Sequence, residues 1–205
     1  MRNVFKLFMT ACLLVSVAMT GVAQKDYSKS EGLLKYVDPY IGSGFHGHVF
    51  VGTSVPYGMV QVGPNNIHKG WDWCSGYHYS DSILIGFSQT HLNGTGCTDL
   101  GDIMIMPMNE IRTERGKQSD ISNGYASKYS HENEIARPEY YSLLVERYNI
   151  KAEMTATDRV GFHRYTYPAG KPASILVNLH EGNSYTKAKM CYVRKVDDYT
   201  IEGYR

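Results

Sequence analysis

Tyr140-Tyr-Ser-Leu-Leu-Val-Glu-Arg-Tyr-Asn-Ile-Lys-Ala-Glu-Met-Thr-Ala-Thr157 reads as two extended runs, Tyr140–Tyr148 and Ile150–Thr157, joined through Asn149 closely enough to form a hairpin. A third run, Val160–Tyr167, follows after only two residues. Outward from this trio the same rhythm recurs. Short β-rich segments separated by turn signals are expected at Val49–Val51, Met59–Val62, Ile83–Phe87, Ile103–Pro107, Ser174–Leu179, Met190–Val196 and Tyr199–Tyr204. Gly58-Met-Val-Gln-Val62 and Ile103-Met-Ile-Met106 carry the period-two pattern of half-buried strands. Seventeen tyrosines suit pleated, half-exposed surfaces better than helices, and no window holds a sustained helical stripe. The pattern predicts an all-β chain, an antiparallel β-sandwich. Arg112 to Pro138 interrupts the rhythm: charged, Ser-rich and weakly apolar, it reads as a long surface excursion. Glu132 and Glu134 within it are read as solvated, with nothing in the local sequence to tune them as an acid and base.

Residues 1–23 have the form of a secretory signal, with Arg2 and Lys6, an apolar run from Leu7 to Met19, and the small-residue site Gly21-Val-Ala23. The run is too short for a comfortable membrane span, which takes about 20 residues. The chain is therefore expected to be exported, periplasmic or secreted. Residues 24–35 read as a polar linker, and residues 36–205 as one β-sandwich domain that is C-terminally incomplete. The whole chain has 21 basic and 20 acidic residues; losing Arg2 and Lys6 moves its formal charge from +1 to −1. A near-neutral chain without basic blocks argues against nucleic-acid partners, whose binding is dominated by charge neutralisation. Three cysteines follow the signal, Cys74, Cys97 and Cys191, too few for a disulfide scaffold. Cys74 and Cys97 read as small buried residues.

Chemistry concentrates in Gly70-Trp-Asp-Trp-Cys-Ser-Gly-Tyr-His-Tyr-Ser-Asp81 and Gly86-Phe-Ser-Gln-Thr-His-Leu-Asn-Gly-Thr-Gly-Cys-Thr-Asp-Leu-Gly-Asp102. Both tryptophans of the chain are here, among carboxylates, histidines and glycines. A core does not call for that mixture, because buried polar groups cost free energy unless partnered. A polyhydroxylated ligand does: aromatic rings lie against the C–H face of a sugar while Asp, Asn and His exchange hydrogen bonds with its hydroxyls. Together with Tyr36-Val-Asp-Pro-Tyr-Ile-Gly-Ser-Gly-Phe-His-Gly-His48, Val55-Pro-Tyr-Gly-Met-Val-Gln-Val62 and Gly161-Phe-His-Arg-Tyr-Thr-Tyr-Pro168, these stretches resemble the N-terminal domain of glycoside hydrolase family 92. The resemblance runs from about Tyr36 to the end. It implies a calcium-dependent, inverting, exo-acting α-mannosidase that acts on mannose-containing glycans. It also implies that the catalytic acid and base, and most of the calcium ligands, lie in a later helical domain missing here.

The candidate substrate-binding residues are Trp71, Asp72, Trp73, His91 and Asn93, with no catalytic residue and no metal ligand expected in this chain. On a strand Trp71 and Trp73 would share a face, with Asp72 on the other, whereas in a loop either could project freely. His46 and His48, in Gly44-Phe-His-Gly-His48, could mimic a metal pair but lack further ligands, so they read as loop imidazoles bonding backbone or ligand. The leading expectation is the N-terminal part of an exported α-mannosidase, supplying one wall of the substrate pocket. The alternatives are a free-standing, non-catalytic carbohydrate-binding module, or a fragment that does not fold alone.

Overall fold

The computed structural model describes residues 32–183 and 188–205. The signal segment 1–23 lies outside the described residues, as does the linker up to residue 31. The linker's end, Gly32–Tyr36, is an exposed 3-10 turn.

Two antiparallel sheets face each other. The second sheet follows the reading closely: β7 (Tyr140–Val145), β8 (Ile150–Ala156) and β9 (Gly161–Thr166) form consecutive hairpins, and β6 (Glu134–Arg137) lies on the far side of β7. The first runs β1 (Thr53–Ser54), β2 (Gln61–Asn66), β3 (Ile83–Ser88), β4 (Met104–Met108) and β10 (Ser174–Asn178), with the short β5 (Ser127–Lys128) also on β3. Register explains the core. Tyr141 opposes Met154, Leu143 opposes Ala152 and Val145 opposes Ile150, so β7 and β8 send these six side chains to one face. All six are buried against Val62, Phe87, Met104 and Met106 of the facing sheet. Each fully buried Leu, Ile or Met contributes about 1.5–3 kcal/mol. β8 touches β1, β2 and β4, which makes it the central plank between the layers. Asn149, left-handed at φ 50°, caps the Glu146–Tyr148 turn and reverses the chain into β8.

Three local readings are corrected. Residues 49–51 are not a strand, because Gly52 passes so close to β2 that a Cβ there would run into the Val62 carbonyl; pairing begins at Thr53. β2 continues through Gly63-Pro-Asn-Asn66, a stretch with turn composition. Asn66 is held in the strand by its buried amide, which donates to Ile83 O at 2.9 Å and accepts from His78 N at 2.8 Å. Pro64 sits beyond the last β1 pair, where β2 is paired on one side only.

The third correction concerns Arg112–Pro138, which is not a surface excursion throughout. Tyr125, Ala126 and Tyr129 enter the core, and β5 and β6 complete the two sheets. Glu134 opposes Leu143, so it points inward, and its side chain is fully buried. It accepts from Tyr141 Oη at 2.6 Å, from Tyr77 Oη at 3.1 Å, and pairs with His131 Nδ1 at 2.6 Å. Burial and the neighbouring Glu134 charge push the Tyr77 and Tyr141 hydroxyls far above the usual phenol range. Glu132 is exposed, as read.

β11 (Tyr192–Lys195) and β12 (Ile201–Tyr204) form a separate hairpin in which all eight residues are exposed. Among the described residues no helix is long and apolar enough to cross a membrane.

Candidate functional site

Three loops converge near the β2–β3 end of the first sheet. The first, Gly42–Val49, folds on itself: Val49 N donates to Gly42 O at 3.1 Å, and a Cβ on Gly47 would collide with the Gly42 backbone. That turn forces two non-glycine residues, Phe45 (φ 50°) and His48 (φ 54°), into the left-handed region. The second is the 3-10 turn Trp71–Trp73. The third, residues 91–102, is pinched at its base by the His91–Leu100 bridge and by Gly101 N on Thr90 O at 2.8 Å.

Trp71 and Trp73 stand on a 3-10 turn rather than a strand, so they do not share a face. At three residues per turn, side chains two apart diverge by about 120°. Trp71 is 57% exposed and anchored at one edge only, its Nε1 donating to Gly96 O at 2.9 Å. Trp73 turns inward: its Nε1 donates to the buried Asp81 at 2.8 Å and its ring stacks on His78 at 4.3 Å. Lys69 closes that arrangement, 2.8 Å from Asp81 and 5.1 Å from the Trp73 ring centre. Asp72 lies beside Trp71 with its Oδ1 2.5 Å from His46 Nδ1. The His46 and His48 rings flank Trp71 at 5.3 and 4.2 Å. Asn93 is exposed on the third loop, next to Gly94, whose N–H donates to His48 O at 2.8 Å.

His91 sits beneath this surface rather than on it. It is 4% exposed, stacked on Phe50 at 5.1 Å, with Nδ1 2.8 Å from Gln61 O. The Gln61 carbonyl can only accept, so Nδ1 carries a proton; Nε2 lies 3.1 Å from Ser88 Oγ and 2.9 Å from Asn65 Oδ1. Burial lowers its pKa to about 4, so the ring is neutral and offers a ligand no free nitrogen. Its role is to hold β2 to the root of the third loop. Of the five sequence candidates, then, Trp71, Asp72 and Asn93 lie at or beside the exposed surface, while Trp73 and His91 support it from below. Cys74 is buried, its thiol on Thr95 O at 3.0 Å, but Cys97 is exposed, contrary to its reading as a buried residue. The candidates left out His46 and His48, and their only sequence signal was the His-Gly-His spacing in Gly44-Phe-His-Gly-His48.

A concavity of about 380 Å³ lies on the outer face of β7–β9 beside Phe162 and Tyr140. Glu153 there is gripped by Arg164 at 2.7 and 2.8 Å and by Tyr140 at 2.7 Å, and the Arg164 bonds hold its pKa down to about 2 despite burial. A carboxylate so engaged is a structural anion. Among the described residues no group of three or more His, Cys, Asp and Glu could hold a metal ion.

Residues 36–205 match the sequence model of the glycosyl hydrolase family 92 N-terminal domain. The chain belongs to glycoside hydrolase family 92. Its fold agrees with that of the family 92 α-mannosidase BT3965 from Bacteroides thetaiotaomicron, solved in complex with mannoimidazole. The TM-score is 0.81 at 38% identity, covering 84% of this chain and 23% of that one. The family 92 inverting mannosidase BT2199 from the same organism is more distant, with a TM-score of 0.57 and 25% identity over 73% of this chain and 20% of that one. An uncharacterised secreted glycosidase of Arthroderma benhamiae is 30% identical over 154 residues, 72% of this chain and 20% of that protein. The family 92 domain described here thus spans between a fifth and a quarter of the length of these relatives.

Proposed function

We propose that this domain is the N-terminal part of an exported, calcium-dependent, inverting α-mannosidase that removes terminal mannose from glycans. In this reading the domain supplies one wall of the substrate pocket. The observation that carries it is the exposed Trp71 ring with Asp72 and His46 at its edge, on a domain of this family. The ring offers an apolar face to sugar C–H groups, and Asp72 accepts from a hydroxyl. Trp73, held by Asp81 and His78, and His91, held by Gln61 and Ser88, fix the wall so that little order is lost on binding. Asn93 adds an amide at the rim.

Inversion requires an acid to protonate the leaving oxygen and a base to activate water, about 6.5–9.5 Å apart. The buried carboxylates Glu134 and Glu153 are committed to tyrosine, histidine and arginine partners. The resemblance to family 92 would place the acid, the base and the calcium ligands in a later helical domain. Among the described residues no cluster of His, Cys, Asp and Glu would hold the ion. The test is hydrolysis of an aryl α-mannoside by the full-length protein, with the first-formed sugar read by NMR. The reading predicts β-mannose first, turnover lost to a chelator and restored by calcium. No turnover of any α-mannoside, or α-mannose as the first product, contradicts it.

A further inference from the structure

His48 carries a polar atom with nothing to bond. The residue is 7% exposed, and its Nε2 is buried without a hydrogen-bond partner. That atom stands 3.8 Å from Asp72 Oδ1, too far for a direct bond. Buried polar groups are almost always satisfied, so an orphan beside an exposed ring and a carboxylate calls for an explanation. Backbone geometry strengthens the case, because the ring is brought here by a left-handed φ of 54° that a non-glycine residue seldom adopts.

The 3.8 Å spacing lets one oxygen reach both atoms. At about 2.8 Å from His48 Nε2 and from Asp72 Oδ1 it would subtend an angle of about 85°, tighter than the tetrahedral arrangement around a hydroxyl, so a small side-chain shift accompanies its entry. The chemistry is complementary as well: an alcohol donates one proton and accepts another, matching a carboxylate on one side and an imidazole N–H on the other. His46 now occupies Asp72, at 2.5 Å, but its side chain is 71% exposed and has little packing to lose by moving.

We propose that the Asp72–His48 gap is the seat of one sugar hydroxyl, with His46 as a side-chain gate that swings off Asp72 to admit it. The hydroxyl donates to Asp72 Oδ1 and accepts from His48 Nε2–H. Trp71, edge-on to His48 at 4.2 Å, then meets the adjoining C–H face of the ring. This inference rests on the sugar-binding reading above and names the residues that read a single hydroxyl.

The experiment uses the full-length protein and five probes: methyl α-D-mannoside and its 2-, 3-, 4- and 6-deoxy analogues, with binding measured by calorimetry. Wild type should bind one deoxy analogue roughly five- to tenfold more weakly than the parent, the scale of one neutral hydrogen bond. His48→Phe should abolish that one ratio and leave the other three unchanged. His48→Gln, which keeps an N–H, should restore part of it, and His46→Ala should tighten binding of the parent a few-fold. All five sugars weakened equally by His48→Phe, or none affected, means that the gap holds an ordered water, and overturns the proposal. Weaker binding in His46→Ala overturns the gate. Normal mannoside hydrolysis with unchanged ratios sinks the hydroxyl seat alone, whereas absence of hydrolysis in wild type sinks the mannosidase reading.

Discussion

Acid should unfasten the floor of the site through His91. The ring is buried and neutral, its pKa held at about 4 against 6.5 for an unperturbed histidine. The folded state therefore binds fewer protons than the unfolded chain between these values, and stability falls as pH is lowered through that window. The full difference corresponds to about 3 kcal/mol, present above pH ~6.5 and lost by pH ~4. His163, also pushed down to about 4 by burial, acts in the same direction, so wild type alone does not isolate the effect. The assay is urea unfolding of the domain at submicromolar concentration, followed by the fluorescence of Trp71 and Trp73 at pH 7, 5.5 and 4, for wild type and His91→Gln. The variant is expected to be less stable at pH 7 because its shorter side chain leaves Gln61 O and Ser88 without their partner. It should also lose about 3 kcal/mol less than wild type between pH 7 and 4. Parallel pH profiles for the two proteins would refute the buried neutral imidazole.

Other consequences follow from burial. Glu134→Leu leaves the Tyr77 and Tyr141 hydroxyls and the His131 N–H without an acceptor, so a loss of about 3–5 kcal/mol is expected in the same unfolding assay, with Glu134→Gln milder. A cost below 1 kcal/mol for the leucine variant would show the cluster to be dispensable. The isolated domain should self-associate at tens of micromolar, because the β11–β12 hairpin is exposed along its length and presents Tyr192, Val193, Ile201 and Tyr204 to solvent. A monodisperse monomer in sedimentation with a cooperative unfolding transition would contradict this and favour the free-standing binding module.

The sandwich was legible wherever burial follows a simple period. Strands β7 to β9 announce themselves as closely spaced β-rich runs joined by two short turns, although β7 is buried along almost its whole length, and β4 because Met104, Met106 and Met108 point one way. The stretch Arg112–Pro138 was not legible, since besides Ala126 its core contributions are two tyrosines and a glutamate, types that are only intermediate or mostly exposed in their usual burial. Only the facing partners, Tyr77, Tyr141 and His131, make an inward Glu134 affordable. Asn65 and Asn66 misled for a related reason: their turn chemistry is spent on His78, His91 and Ile83 rather than on a turn. At the site, Trp71 and Asp72 stood out by type, but period-two reasoning could not foresee a 3-10 turn that splits the tryptophans. The pairing of Asp72 with His46, 26 residues away, exists only in the folded chain.

The central claim is that Trp71 forms a wall of an α-mannoside pocket, and Trp71→Ala in the full-length protein tests it most directly. The account predicts a fall in kcat/KM of roughly ten- to a hundredfold, or about 1.4–2.7 kcal/mol of transition-state stabilisation, with an unchanged unfolding midpoint, because the ring is 57% exposed and held by one hydrogen bond. An unaltered kcat/KM, or activity and midpoint falling together, would contradict it.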